Sequence, residues 1–156
     1  MIVERTFDAD LIKSVLLRQE IKATIAEDGV DEFEPDLEGD IWLVMRDETV
    51  IAVYQLERVN AIMLQIHANV LPEHRKKHSK DTGRAALDWI LDNLPEIHKI
   101  VAYIPVIYPN VRDFTASFGF QIEGVLTQSY LKNGVVHDQW VMGITRQELE
   151  AKKWAA

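Results

Sequence analysis

Residues 61–80 have the sequence AIMLQIHANVLPEHRKKHSK, and this stretch predicts the centre of the fold. From Ala61 to Leu71, apolar and polar side chains alternate, a pattern typical of a β-strand with one buried face. Pro72 is expected to end this strand, because proline cannot donate a hydrogen bond to a neighbouring strand. We expect a basic turn to follow over His74–Lys80, leading into a helix from about Ser79 to Asn93.

The residues around this stretch predict the rest of a sheet. Upstream, short apolar runs separated by turn residues predict an antiparallel meander. The predicted upstream elements are a strand over residues 1–7, a helix capped by Asp8, a second helix from about Arg18 to Glu27 ended by Gly29, and strands Ile41–Arg46 and Val50–Arg58. Turns are predicted at Asp47–Thr49 and Val59–Asn60.

Downstream, the strand His98–Pro105 follows the central helix, and strand, helix and strand in this order predict a parallel crossover. The remaining predicted elements are a short helix around Asn110–Phe118 closed by Gly119, strands Phe120–Thr127 and Val135–Ile144 joined through an Asn133-Gly134 turn, and a final helix over Thr145–Trp154. The predicted fold class is α+β: a mixed, mostly antiparallel sheet flanked by helices, with one central parallel strand–helix–strand crossover. We expect one domain spanning residues 1–156.

Composition excludes several classes of protein. The chain has 156 residues and no cysteine, so it has no disulfide framework, no thiolate nucleophile and no cysteine-ligated zinc. No apolar run is long enough to span a bilayer, and the five histidines lack the spacing of metal ligands, so neither a membrane nor a metal is expected. A net charge of −8 argues against nucleic acid as a partner. The expected location is the cytoplasm.

The basic segment His74–Lys80 stands out in this acidic chain. It contains four Lys or Arg residues and two histidines, at the predicted junction of a strand and a helix. The first amides of a helix lack partners and attract anions, so a phosphate or pyrophosphate is the expected ligand. The alternative is a solvated basic loop without a ligand.

Several local motifs occur in an order that resembles the GNAT superfamily of acetyl-CoA-dependent N-acetyltransferases. The motifs are Val70-Leu71-Pro72-Glu73-His74-Arg75 at the end of the predicted strand Ala61–Leu71, Phe118-Gly119-Phe120 with Glu123-Gly124, and Tyr130, Asn133-Gly134, Asp138 and Trp140–Gly143 in the last hairpin. The resemblance covers roughly Ile41–Thr145. It is closest to the branch with the ribosomal-protein N-terminal acetyltransferases, including short bacterial and phage-encoded members.

This resemblance implies a cofactor site on the central strand and the following turn. The pantetheine arm of acetyl-CoA would pair with Ala68, Asn69 and Val70. The pyrophosphate would contact the turn formed by Arg75, Lys76, Lys77, His78, Ser79 and Lys80, and Asn110 would contact the cofactor from the short helix. The chain differs from the family pattern at His78 and Lys80, where small residues are usual, and at Thr115, where many relatives carry a tyrosine.

Three side chains are candidates for catalysis, each with a structural alternative. His67 on the central strand titrates near neutral pH and is a candidate base; a half-buried histidine with a backbone partner is the alternative. Glu57 on the neighbouring strand is a second candidate base, or an exposed carboxylate. Tyr130 is a candidate proton donor, or an aromatic residue that packs across the sheet.

The leading hypothesis is an N-acetyltransferase whose acceptor is a primary amine of a protein or a small molecule, attacking acetyl-CoA directly in a ternary complex. The alternative is a GNAT-fold binding protein that has lost catalysis. A nucleic-acid-binding module is a third hypothesis, which the net charge disfavours. The acidic segment Asp31–Asp40 is interpreted as a solvated loop, or as a segment whose negative charge attracts a cationic amine substrate. Trp154 is a candidate homodimer contact.

Overall fold

A computed structural model of the chain describes residues 1–25, 27–28 and 33–152. Its strands are β1 (Ile2–Arg5), β2 (Asp40–Arg46), β3 (Val50–Asn60), β4 (Met63–Val70), β5 (Lys99–Pro105), β6 (Gln121–Lys132) and β7 (Val135–Thr145). Its helices are α1 (Ala9–Leu16), α2 (Gln19–Ile25), α3 (Pro72–Asn93), α4 (Pro109–Ala116) and α5 (Arg146–Lys152).

The strands form a single mixed sheet in the order β1-β2-β3-β4-β5-β7-β6. β4 and β5 pair in parallel, and helix α3 makes the connection between them. Every other strand pairing among the described residues is antiparallel. The predicted α+β class and its central crossover are therefore confirmed.

Helices cover both faces of the sheet. On the side that we call the α3 face, Leu43, Tyr54 and Leu64 are buried against α3 and α5. On the opposite side, the α1 face, Trp42 and Val53 are buried against α1 and α2. This division follows from the period of two along a strand, which sends successive side chains to opposite faces. No helix within the described ranges is long and apolar enough to cross a membrane.

Several local predictions hold in the structure. The Asp8 carboxylate caps α1 by accepting the Leu11 N–H at 3.1 Å. Asn133 and Gly134 both have positive φ, as the predicted hairpin turn requires. Gly119, with φ of 100°, closes the chain after α4 in the left-handed region. Of the acidic segment, residues 33–39 have no helix or strand. Gly29, Asp31, Glu32 and Trp154 lie outside the described residues.

Three predicted boundaries are wrong. β6 continues to Lys132, five residues beyond the predicted end at Thr127. β3 continues to Asn60, and the turn lies at Ala61–Ile62, where the Asn60 side chain accepts the Ile62 N–H at 2.9 Å. The third error is larger, because α3 begins at Pro72 and not near Ser79. Proline suits the first helical position, and no glycine interrupts the chain until Gly83. The predicted basic turn over His74–Lys80 is therefore the first part of a continuous helix.

Candidate active site

The two parallel strands at the centre of the sheet separate part-way along their length. β4 pairs with β5 only from Met63 to Gln65, opposite Lys99–Val101. Beyond this point β4 keeps its pairing with β3, and β5 keeps its pairing with β7 as far as Pro105. The strands thus open a wedge-shaped gap, which we call the splay. One edge of β4 then offers backbone N–H and C=O groups to an amide-bearing ligand.

The residues predicted to bind pantetheine lie along this open edge. Ala68 belongs to the α3 face, opposite Tyr54, but it is exposed because β5 has diverged from β4. Asn69 belongs to the α1 face, opposite Val53, and only 3% of its surface is exposed. The Val70 carbonyl accepts a hydrogen bond from Arg75 Nε at 3.1 Å. The splay therefore contains the three predicted positions, and their role in binding stays a prediction.

The start of α3 differs from the predicted phosphate site. Residues 75–80 lie inside the helix, where backbone N–H groups donate to carbonyls one turn earlier and are not available to a ligand. At the first turn, the His74 N–H donates to the Leu71 carbonyl at 2.9 Å. The Arg18 guanidinium and the N–H of Glu73 itself hold the pKa of the Glu73 carboxyl below its usual value. A carboxylate therefore already occupies the end of the helix that would attract phosphate.

The side chains of this segment remain as cationic groups on α3. Lys76 and Lys77 are exposed and form no ion pair with another described residue. The hydroxyl of Ser79 donates to the Arg75 carbonyl within the helix. The rings of His74 and His78 lie side by side, with centroids 5.7 Å apart. A phosphate at this place would meet side chains rather than a backbone cradle.

Lys80 joins α3 to the end of α4. Its ammonium donates to the Ser117 hydroxyl and lies 3.9 Å from the centre of the Phe118 ring. Burial, with the nearby charges of Arg84 and Lys152, lowers the pKa of Lys80. The close approach of these helices also depends on Gly83, because a Cβ there would lie 2.3 Å from Phe118 Cζ.

His67 and Glu57 meet on the α1 face. His67 Nε2 lies 2.6 Å from Glu57 Oε2, and each side chain is 40% exposed. The register explains the contact: Glu57 is opposite Gln65, so it is diagonal to His67. The hydrogen bond to His67 lowers the pKa of Glu57, against the opposing effect of burial. A carboxylate that orients an imidazole is the arrangement expected of a general base and its support.

A second carboxylate lies next to this pair. Asp40 on β2 is opposite Glu57 and accepts a hydrogen bond from Gln55 Nε2 at 2.9 Å. Burial raises the pKa of Asp40, and the neighbouring Glu57 and Asp36 carboxylates add to this effect. The α1 face beside the splay is therefore negatively charged.

Tyr130 lies on the α1 face but in the other half of the sheet. An irregularity in β6 between Leu126 and Tyr130 places it opposite His137. Its hydroxyl is buried and has no hydrogen-bond partner among the described residues. Burial, and then the proximity of Tyr108, raise the pKa of Tyr130. The ionisable groups that act on it are Tyr108, Glu27 and Asp28, so the structure does not bring it to His67.

The predictions for α4 have separate outcomes. Asn110, the second residue of the helix, is exposed, and its contact with a cofactor stays a prediction. The Thr115 hydroxyl donates to the Val111 carbonyl at 2.8 Å.

Sequence reasoning missed Tyr103 on β5, which is 37% exposed on the α1 face. The alternation along β5 was a usable signal, but it becomes informative only with the register between β4 and β5.

Comparison with solved structures gives matches over nearly the whole chain. Mutant forms of the spermidine/spermine N-acetyltransferase SpeG from Vibrio cholerae align with a TM-score of 0.81 and 20% identity, covering 97% of this chain and 96% of that one. Spermidine N-acetyltransferase from the same organism, in complex with CoA and spermine, gives the same TM-score and identity over 96% and 97% of the two chains. The TM-score and the coverage show that this chain has the same fold, the GNAT fold, and at 20% identity they show the fold alone. No curated protein sequence matches the chain significantly.

A protein-family model described as "Protein of unknown function (DUF2824)" matches residues 8–154. The match covers almost the entire chain, including the splay, the His67–Glu57 pair and all of α3. The chain therefore belongs to the DUF2824 family and has the fold of the GNAT acetyltransferases.

Proposed function

We propose that the chain is an N-acetyltransferase that transfers the acetyl group of acetyl-CoA to a primary amine, with residues 1–156 acting as one domain. The observation that carries this proposal is the splay between β4 and β5, with the His67–Glu57 pair beside its closed end. An open strand edge can hold an acyl donor, and a supported imidazole can accept the proton of the attacking amine.

Acetyl-CoA would be held in two ways. The edge of β4 over Ala68–Val70 would pair with the amides of the pantetheine arm, because its hydrogen-bonding groups are not used by β5. The phosphates would be held by the side chains of Lys76 and Lys77, since the amides of this segment are inside α3. The residues present therefore fit the thioester arm better than the diphosphate. Because exposed lysine side chains would contact the phosphates, we expect the affinity for acetyl-CoA to fall as the salt concentration rises.

The proposed chemistry is a direct attack in a ternary complex. The neutral amine nitrogen attacks the thioester carbonyl, the carbon–sulfur bond breaks, and an amide forms. His67 takes the proton that the nitrogen loses, and Glu57 keeps the imidazole oriented and stabilises its charged form. The chain has no cysteine that could carry the acetyl group as a covalent thioester intermediate, which agrees with direct transfer from acetyl-CoA to the amine.

The acceptor is proposed to be a cationic amine. Asp40 and Glu57 are adjacent on the α1 face, and their charges attract an ammonium group. The Vibrio cholerae proteins with this fold are described as acting on spermidine or spermine. The resemblance to the ribosomal-protein branch suggests a protein N-terminus as another acceptor of the same chemistry.

A homodimer is also proposed, because β6 is an edge strand with exposed Ile122, Val125 and Leu126.

A second candidate function is a GNAT-fold binding protein without catalysis. The specific observation in its favour is the start of α3 at Pro72, which removes the backbone cradle for phosphate. The Glu73 carboxylate at the same helix end would repel a diphosphate. In this case the protein would not bind acetyl-CoA.

The experiment that separates the two candidates is ligand binding followed by turnover. Thermal unfolding is measured with acetyl-CoA, CoA or ATP; a ligand at about 100 times its Kd adds roughly 2.7 kcal/mol of stability. Thiol release is then measured with spermidine, spermine and peptides of different N-terminal residue. The proposal expects stabilisation by acetyl-CoA and acetylation of at least one amine, with His67→Ala lowering kcat at least about 100-fold.

Charge-reversal variants test the phosphate contacts. Lys76→Glu with Lys77→Glu is expected to weaken acetyl-CoA binding, whereas Arg5→Glu at the far edge of the sheet is the matched control. If acetyl-CoA stabilises the double variant as much as the wild type, Lys76 and Lys77 do not bind the phosphates. No stabilisation at millimolar acetyl-CoA would refute the enzyme and favour the binding protein.

A further inference from the structure

The splay has an ionisable side chain on the strand opposite His67. Gln65 and Val101 are the last paired residues of β4 and β5, and both belong to the α1 face. Because the strands are parallel, two further residues along each one bring His67 and Tyr103 to equivalent positions on that face. The pairing of Tyr103 with Val141 on β7 fixes its position on the other side of the splay.

Tyr103 is exposed in a place where exposure is unusual. β5 is an interior strand of the sheet, and its residues Val101, Ala102 and Ile104 are all buried. Tyr103 is 37% exposed, and its hydroxyl has no hydrogen-bond partner among the residues that the structure describes. β4 no longer pairs with β5 at this point, so no strand lies against Tyr103 on that side. A free phenol therefore faces the region where the reacting groups would meet.

We propose that Tyr103 is the proton donor to the departing CoA thiolate, acting from the side of the splay opposite His67. This inference rests on the proposed acetyltransferase function. When the carbon–sulfur bond breaks, the electron pair stays on sulfur, and the Tyr103 hydroxyl supplies the proton that makes it a thiol. His67 holds the proton taken from the amine, and returning it to the Tyr103 oxygen through solvent restores both groups.

The other tyrosines of the chain are placed less well for this step. Tyr54 lies on the α3 face, with its hydroxyl within hydrogen-bond distance of Thr82. Tyr108 and Tyr130 lie close to each other, and the ionisable groups around Tyr130 belong to the hairpin side of the sheet. None of these three adjoins the pairing of β4 with β5. Tyr103 is the phenol that the register places across the splay from the candidate base.

The test is the variant Tyr103→Phe, with Tyr108→Phe as the matched control. Phenylalanine keeps the ring, and the lost hydroxyl has no partner among the described residues, so we expect an unchanged thermal midpoint. With the acceptor identified above, kcat should fall about 100-fold or more while KM for the amine changes less than about threefold. The control should retain kcat within about twofold.

Two further measurements separate proton donation from a structural role. An acetyl thioester with an acidic arene thiol needs no proton to leave, so most of the loss in Tyr103→Phe should disappear with this donor. Calorimetry of CoA and desulfo-CoA gives a readout without turnover. We expect Tyr103→Phe to weaken CoA binding several-fold and to leave desulfo-CoA binding unchanged, because only CoA has the sulfur that the hydroxyl contacts.

The outcomes distinguish this inference from the function on which it rests. If the wild type acetylates an amine and Tyr103→Phe keeps kcat within threefold, Tyr103 is not the donor and the proposed function stands. If Tyr103→Phe lowers kcat equally with acetyl-CoA and with the arene thioester, the assignment is also overturned. If the wild type neither binds acetyl-CoA nor releases thiol, the proposed function fails and the assignment fails with it.

Discussion

Tyr54 connects the sheet to α3, and its removal has a consequence that depends on pH. The ring is buried on the α3 face, and its hydroxyl lies 2.9 Å from Thr82 Oγ1. Thr82 donates its own proton to the Ser79 carbonyl at 3.0 Å, so Tyr54 is the donor to Thr82. Burial raises the pKa of Tyr54 to about 12, with a smaller opposing effect from the Thr82 hydroxyl.

The magnitude follows from linkage between ionisation and folding. The pKa is about 12 in the folded state and about 10 when unfolded, and one unit corresponds to about 1.4 kcal/mol. Because the pKa of Tyr54 is higher in the folded state, the neutral phenol favours folding. Its contribution to the free energy of unfolding is fully present below pH 10 and is lost as pH rises towards 12. The wild type should lose about 1.4 kcal/mol by pH 11 and about 2.7 kcal/mol in total.

The variant Tyr54→Phe removes this ionisation. At pH 7 it should be about 1 kcal/mol less stable than the wild type, because it lacks one buried hydrogen bond. Near pH 11 the two proteins should become about equally stable, since only the wild type loses stability through this group. Urea unfolding followed by tryptophan fluorescence at pH 7, 9, 10 and 11 measures the difference.

A matched variant isolates the cause. Thr82→Val removes the hydroxyl next to Tyr54 but leaves the phenol buried, so it should keep the alkaline loss of stability. If Tyr54→Phe and the wild type lose the same free energy of unfolding between pH 9 and 11, the buried phenol is not the source and the argument is refuted.

Three more predictions concern the contacts that hold the site in place. Gly83→Ala should destabilise by about 1–2 kcal/mol in urea unfolding despite its better helix propensity, because the new Cβ overlaps the Phe118 ring; a stabilised variant would contradict the packing. Arg146→Met should cost about 3 kcal/mol, since the guanidinium donates to three carbonyls near the end of α3, and a loss below 1 kcal/mol would count against that role. Asp28→Ala should speed hydrogen exchange of the Gly134 amide, which donates to the Asp28 carboxylate at 2.8 Å, and unchanged protection there would show that this contact does not hold the hairpin.

Local structure was predictable wherever neighbouring residues determine it. The Asp8 cap and the Asn133-Gly134 turn were recognised because the relevant atoms lie within three residues along the chain. The start of α3 was predictable from the same physics, since Pro72 suits the first helical position and no glycine follows before Gly83. The prediction failed there because Pro72 was interpreted only as the end of the strand, and the charged residues after it were interpreted as a turn and not as the first turns of the helix.

The candidate site depends on contacts between distant residues. Alternation along β4 assigns Ala68 and Asn69 to opposite faces, but only the neighbouring strands and helices decide that Ala68 is exposed and Asn69 is buried. His67 and Glu57 were separate candidates in the sequence, and the antiparallel register of β3 and β4 makes them a pair.

The sequence by itself determined the order of the elements, the alternation of side chains along β4, the Asp8 cap and the Asn133-Gly134 turn, because these follow from side-chain period and from nearby hydrogen bonds. The tertiary structure decided where β5 leaves β4 and stays with β7. That choice depends on the packing of three strands and α3 together, and it creates the splay and exposes Tyr103. No window of sequence contains that information, since the competing strands are far apart along the chain.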